Sequence, residues 1–146
     1  GVPVGAFLMT EKVGQHSLTA GDHGTTYGGN PLACAAVAKV LDLFEENNIL
    51  EHVREVSAYL EEKLDSLAAK YDFITDRRGM GLMQGLVFDR PVAPVINAAL
   101  ENGLILINAG INIIRFVPPL VITNADVDEM IEILDSCLKM FQEQNA

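Results

Sequence analysis

Two threonines, a tyrosine and two glycines stand directly before Asn30-Pro31 in the stretch HGTTYGGNPLACAAVA, His23 to Ala38. Thr25 and Thr26 offer hydroxyl donors, and Gly28 and Gly29 let backbone amides come close to a ligand. A helix that starts at Asn30 turns the positive end of its dipole toward this loop. Hydroxyls, amides and a helix end together can hold a phosphate without a lysine. The same residues also make an ordinary capped turn, and residue types alone leave both readings open. The second candidate is Arg115 in IIRFVPPL, Ile113 to Leu120. An arginine among isoleucine and phenylalanine rarely goes without a partner. Its planar fork suits a carboxylate, from a substrate or from an Asp or Glu of the protein itself. A place on an exposed strand edge is the remaining option.

The elements around these residues can be read from their spacing. Val4 to Met9 is a short apolar strand candidate. Asn30 is placed to cap a helix with Pro31 in its first turn. Ala33, Val37, Val40, Leu41 and Phe44 then recur at helical spacing, and Glu46-Asn47-Asn48 interrupts the run. A second helix carries Ile49, Val53, Val56, Leu60, Leu64 and Leu67 on one face. Phe73 to Arg78 is a strand candidate. RGMGLMQGLVF, Arg78 to Phe88, reads as a glycine-rich turn running into a strand. Val92 to Glu101 makes a helix stopped by Asn102-Gly103. Leu104 to Ile107 and Ile113 to Phe116 are strand candidates joined by a turn around Gly110. Thr123 to Asp126, TNAD, resembles a capping box. It opens a last helix to about Phe141, with Val127, Met130, Ile131, Leu134 and Leu138 inward.

This mixed order predicts an α/β or α+β chain. From about Phe73 onward a small, mostly antiparallel sheet should be covered by the helices from Val92 and Thr123. The helix from Ile49 should pack on it, and Val4 to Met9 should lie outside this core. No internal repeat or low-complexity linker is present.

Composition narrows the functional classes. The chain has 146 residues, 49% of them hydrophobic, which suits a folded chain with a real core. A formal net charge of −10 opposes nucleic-acid binding and attraction to anionic membranes. No apolar run is long enough to span a bilayer, and no signal segment opens the chain. Cys34 and Cys137 lie far apart in helical contexts and read as reduced, buried thiols, which suits a cytoplasmic protein. His16, His23 and His52 have no cysteine or carboxylate at metal-ligand spacing, and His52 reads as a surface residue of a helix. The glycines of RGMGLMQG lead into a strand, so they do not form a dinucleotide fingerprint.

The stretch GDHGTTYGGNPLACAA resembles the corresponding segment of the class III aminotransferases, which use pyridoxal phosphate. GVPVGAFL, RGMGLMQGLVF and IIRFVPPLVIT are similar to that family too, in the same order, so the resemblance covers nearly the whole chain. It implies that Thr26 binds the cofactor phosphate and reaches across a homodimer into the partner's site. It also implies that Thr25 lies near the substrate and that Arg115 holds a substrate carboxylate. The implied fold is that of the aspartate-aminotransferase-like transferases. Residues 1–47 would be a remnant of the large cofactor-binding domain, and residues 48–146 the C-terminal small domain.

The implied reaction moves an amino group from N-acetylornithine to 2-oxoglutarate, a step of arginine biosynthesis. Ornithine, 4-aminobutyrate and succinyl-diaminopimelate donors share the same frame. The family's Schiff-base lysine precedes the Gly-x-Pro-x-Gly segment at which this chain starts. None of Lys12, Lys39, Lys63, Lys70 and Lys139 matches it. The aspartate that pairs with the cofactor's ring nitrogen would lie further upstream. The chain is therefore expected to be the C-terminal portion of such an enzyme, and inactive alone. The rival reading is a noncatalytic binding or assembly module that kept the same fold.

Overall fold

A computed structural model describes residues 2–144. They group into two compact units, one up to Asn48 and one from Ile49 onward.

The first unit holds helix α1 (Glu11–Gly14) and helix α2 (Pro31–Glu46). Thr10 caps α1, its hydroxyl accepting from the Val13 amide at 3.4 Å. Asn30 caps α2, its side-chain oxygen accepting from the Ala33 amide at 2.9 Å. Asn47 ends that helix, and Asn48 takes a positive φ of 49°. The expected strand Val4 to Met9 does not form: these residues are extended or irregular and exposed. A strand needs a neighbour to satisfy its backbone groups, and none is paired with it here. No described residue of this unit is buried.

The second unit begins with helix α3 (Ile49–Lys70) and continues into strands β1 (Ile74–Met80) and β2 (Met83–Phe88). Helix α4 (Ala93–Glu101), strands β3 (Ile107–Asn108) and β4 (Ile113–Phe116), and helix α5 (Asn124–Gln144) complete it. The four strands form one sheet in the order β1-β2-β4-β3, with every pairing antiparallel. The helices supply the core on one of its faces. Leu60, Leu64 and Leu67 of α3 meet Leu86 and Phe88 of β2, Ile114 and Phe116 of β4, and Leu134, Leu138 and Phe141 of α5. Phe73 ties this core together, its ring lying 5.3–5.8 Å from those of Tyr71, Phe88 and Phe141.

Several expectations hold residue by residue. The inward face of α3 buries Ile49, Val56, Leu60, Leu64 and Leu67, with Val53 packed against the core. The capping box is reciprocal: the Thr123 amide donates to the Asp126 carboxylate at 2.7 Å, and the Asp126 amide to the Thr123 hydroxyl at 3.3 Å. Others shift. Arg78 to Met80 belong to β1, and the turn is confined to Gly81 and Leu82. Leu104 to Leu106 are not strand, because the Leu104 amide closes helix α4 by donating to the Ala99 carbonyl at 2.8 Å. His52 is half-buried, with Nε2 2.8 Å from the Ile122 carbonyl oxygen, and is not a free surface residue. Cys137 is buried but Cys34 is exposed, since α2 buries none of its faces. No described helix is long and apolar enough to cross a membrane.

Candidate functional site

The loop before α2 is built by its own backbone. The Gly28 amide donates to the Thr25 carbonyl and the Asn30 amide to the Tyr27 carbonyl, both at 3.4 Å. The Asn30 side-chain amide adds a bond to the Tyr27 carbonyl at 2.9 Å. Gly29 sits at φ +69°, a conformation that glycine adopts without strain. Asn30 thus holds the loop and the helix start together, donating to the one and accepting from the other. Its oxygen occupies the Ala33 amide, so the helix end is already capped by the chain itself.

The threonines are left over. Neither the Thr25 nor the Thr26 hydroxyl has a hydrogen-bond partner among the described residues, and both side chains are exposed. The backbone amides of Thr26, Tyr27 and Gly29 have none either. This is a neutral donor set of hydroxyls and amides, carried on a fixed turn. It suits the oxygens of a phosphate, and it would do so without a basic residue in the loop.

Arg115 lies in the second unit. Strand β4 runs between β2 and β3, so Arg115 is on an inner strand of the sheet and not on an edge. Its neighbours Ile114 and Phe116 are buried beneath the helices, while Arg115 itself is exposed. The other four arginines all have acidic partners. Arg54 meets Glu51 at 2.7 Å, Arg77 meets Asp65, Arg78 meets Asp76 at 3.0 Å, and Arg90 meets Asp89 at 2.6 Å. Arg115 has none among the described residues. No internal salt bridge forms among the described residues, and the fork is available to a carboxylate from outside. Beside it opens a cavity of ≈ 370 Å³, walled mainly by apolar residues of Leu104 to Ile107 and Phe116 to Pro119. Thr25 and Thr26 share one loop, and Arg115 belongs to the other unit.

The family model for class III aminotransferases matches residues 1–138. The chain belongs to the class III aminotransferases. It is similar to the acetylornithine aminotransferase of Clostridium acetobutylicum, 44% identical over 140 residues, which are 95% of this chain and 36% of that protein. The mitochondrial acetylornithine aminotransferase of Saccharomyces cerevisiae is 41% identical over 140 residues, 95% of this chain and 33% of that protein. Among solved structures, the acetylornithine aminotransferase from Elizabethkingia anophelis superposes with a TM-score of 0.75 at 32% identity, covering 82% of this chain and 31% of the other. A lysine aminotransferase from M. tuberculosis gives 0.76 at 28% identity, covering 81% and 28%. The chain spans about a third of the length of the curated relatives it matches. Enzymes of this family depend on pyridoxal phosphate.

The sequence reading passed over one polar group that shapes the β1–β2 hairpin. Gln84 is buried, and its side chain donates to Glu61 at 3.1 Å and to the Gly81 carbonyl at 2.7 Å. It also accepts from Arg77 at 3.0 Å. A side chain at Gly79, whose φ is +142°, would run into the Met83 carbonyl and Gln84. The signal was present in GLMQG: a lone amide at an inward strand position demands partners. Two further clusters join α3 to α5. Tyr59 and Lys63 both hold Asp128, at 2.7 and 2.9 Å, and Tyr71 and Lys70 both hold Asp135, at 2.9 and 2.6 Å. These three groups fix the scaffold and offer nothing to a ligand.

Proposed function

We propose that this chain forms the C-terminal third of an aminotransferase that moves an amino group from N-acetylornithine to 2-oxoglutarate. The observation that carries the reading is Arg115, the arginine left without an acid on an exposed sheet face. Both amino donor and acceptor carry a carboxylate that such a fork can take in two parallel hydrogen bonds. The donor named here comes from the relatives at 38–44% identity, all called acetylornithine aminotransferases. With that donor, the reaction would be a step of arginine biosynthesis.

The family resemblance implies the roles of the residues, and their chemistry supports them. Thr26 donates its hydroxyl to the phosphate of pyridoxal phosphate, and the free amides of the same turn complete the cradle. Thr25, one residue away, faces the substrate end of that site. Gly28 and Gly29 keep side chains out of the space the phosphate needs. Arg115 orients the substrate by its carboxylate and so fixes which end of the molecule meets the cofactor. When bound, the cofactor supplies the electron sink that amino transfer requires. We place Thr26 in the site of a partner subunit of a homodimer, in the cytoplasm.

An assay of the whole protein that carries this chain tests the reading. With pyridoxal phosphate, N-acetylornithine and 2-oxoglutarate, it should produce glutamate. Arg115→Gln should lower kcat/KM by roughly thirty to a thousand-fold, the loss of about 2–4 kcal/mol of charge-assisted bonding. Wild-type turnover that Arg115→Gln leaves intact would remove Arg115 from the site.

A further inference from the structure

Glycines in the β1–β2 hairpin do two different jobs. Gly79 and Gly81 have φ of +142° and +59°, so backbone geometry explains them. Gly85 has no such excuse. It lies inside β2, a strand with neighbours on both sides, and its φ is outside the left-handed range. An added Cβ would meet the Ile113 Cγ2 at 3.3 Å, the Ile114 carbonyl at 3.7 Å and the Arg78 carbonyl at 3.8 Å. The first contact is tight but is made by a side chain that can shift. The strand itself would accept alanine, and a side chain would strengthen it.

The sheet register shows what the missing side chain leaves open. Arg78 of β1 pairs with Gly85, Gly85 pairs with Arg115 of β4, and Arg115 pairs with Ile107 of β3. Residues directly paired across antiparallel strands project to one face. Gly85 therefore stands beside Arg115 on the face away from the helices, and the next pair along, Leu86 with Ile114, is buried beneath them. On its other side Arg78 is already held by Asp76 at 3.0 Å. In the row Arg78, Gly85, Arg115 and Ile107, Gly85 is the one residue that sets no side chain beside the unpartnered guanidinium.

We propose that Gly85 is a positioning residue for the carboxylate bound by Arg115: its bare backbone leaves the room in which the fork and the carboxylate lie coplanar. The inference rests on the assignment of Arg115 as the carboxylate holder. A methyl group at residue 85 presses first on the Ile113 side chain, and an isopropyl group extends further along the paired row toward Arg115.

The test compares two donors in the whole aminotransferase that carries this chain. N-acetylornithine and N-acetylputrescine present the same terminal amine, but only the first has a carboxylate. The readout is the ratio of their kcat/KM values, acid over amine. Gly85→Val should lower this ratio about tenfold or more, mainly through the KM of N-acetylornithine, with N-acetylputrescine unaffected. Gly85→Ala, the milder change should valine prevent folding, should lower it in the same direction by a smaller factor. Equal loss on both donors would mean that Gly85 serves only packing, and an unchanged ratio would mean that it serves nothing here; either overturns the inference. Arg115→Gln separates the two layers. If it collapses the ratio while both Gly85 variants do not, Arg115 stands and Gly85 falls. If Arg115→Gln leaves the ratio unchanged, the carboxylate assignment fails and takes Gly85 with it.

Discussion

The two units of this chain treat their polar groups in opposite ways. The second unit consumes them internally: Gln84 is enclosed by Glu61, Arg77 and Gly81, and Asp128 and Asp135 are each shared by a tyrosine and a lysine. Its core is complete, with Leu64, Leu86, Ile114, Leu134 and Leu138 fully enclosed. Among the described residues, the first unit buries none fully and leaves two threonine hydroxyls without partners. One part of the chain is a self-sufficient scaffold that presents a single free arginine. The other carries unpartnered hydroxyls and amides on a capped turn, with little apolar burial to stabilise it. The difference teaches where to look for function: the donors left over, Thr25, Thr26 and Arg115, lie on exposed surface in whichever unit carries them.

The sharpest break in that comparison is the reactivity of the two thiols. Burial raises the Cys137 thiol above its ordinary pKa and shields it, whereas Cys34 is exposed on α2. A thiol-specific chromogenic reagent should label Cys34 at once. Cys137 should follow slower by about three orders of magnitude or more, if it opens only with the core. Similar rates for both would mean that the second unit is as open as the first.

Core truncation comes next in size. Leu64→Ala, at a position with no exposure, should cost about 2–5 kcal/mol in urea unfolding of the chain. Leu41→Ala, at 62% exposure on α2, should stay within about 0.5 kcal/mol. A large loss from Leu41→Ala would show that α2 helps to stabilise the chain, and the contrast between the units would dissolve.

The smallest effect is electrostatic. Burial works to raise the Asp135 carboxyl, but hydrogen bonds from Lys70 and Tyr71 outweigh it and hold it below the usual carboxylate range. A depressed native pKa gives stability that is present above the unfolded value of about 4 and lost as pH falls through the native one. Acid unfolding followed by circular dichroism should therefore show the wild type losing stability below about pH 4. Asp135→Asn should be less stable at pH 7 and should lose less on acidification. An identical acid slope in both would show that Asp135 is not coupled to folding.

Much of this architecture is legible in the sequence, for identifiable reasons. The faces of α3 and α5 follow from apolar spacing because each packs against one continuous core. The caps at Asn30 and Thr123 follow from side chains that can act only locally. Periodicity misleads where the partner is not nearby. Val4 to Met9 is apolar enough for a strand, yet pairing is a property of neighbours and not of the segment. Leu104 to Leu106 are apolar enough for a strand, but the Leu104 amide is taken by the end of α4. Cys34 was expected inside because α2 is apolar, while its burial depends on what covers it. In the candidate site, Thr25, Thr26 and Arg115 were visible as motifs. That Arg115 is the unpaired arginine among the described five was not, since pairing is decided by folded distances. Gly85 was hidden among three motif glycines until their φ angles separated it from Gly79 and Gly81.

The central proposal is that the Thr26 hydroxyl grips a phosphate held by another subunit, and subunit mixing tests it most directly. In the whole enzyme, Thr26→Ala should weaken pyridoxal phosphate binding by roughly ten to a hundred-fold, the worth of one charge-assisted hydrogen bond at about 1.5–3 kcal/mol. Thr26→Ala subunits are then mixed with subunits that keep Thr26 but lack the family's cofactor-binding lysine. In a hybrid dimer with Thr26 acting across the interface, the intact lysine receives its threonine from the partner, and one unaltered site reappears. Transaminase activity at limiting cofactor should then rise above that of either homodimer, in proportion to the fraction of hybrids. Activity that stays at the level of the Thr26→Ala homodimer at every mixing ratio would contradict the account.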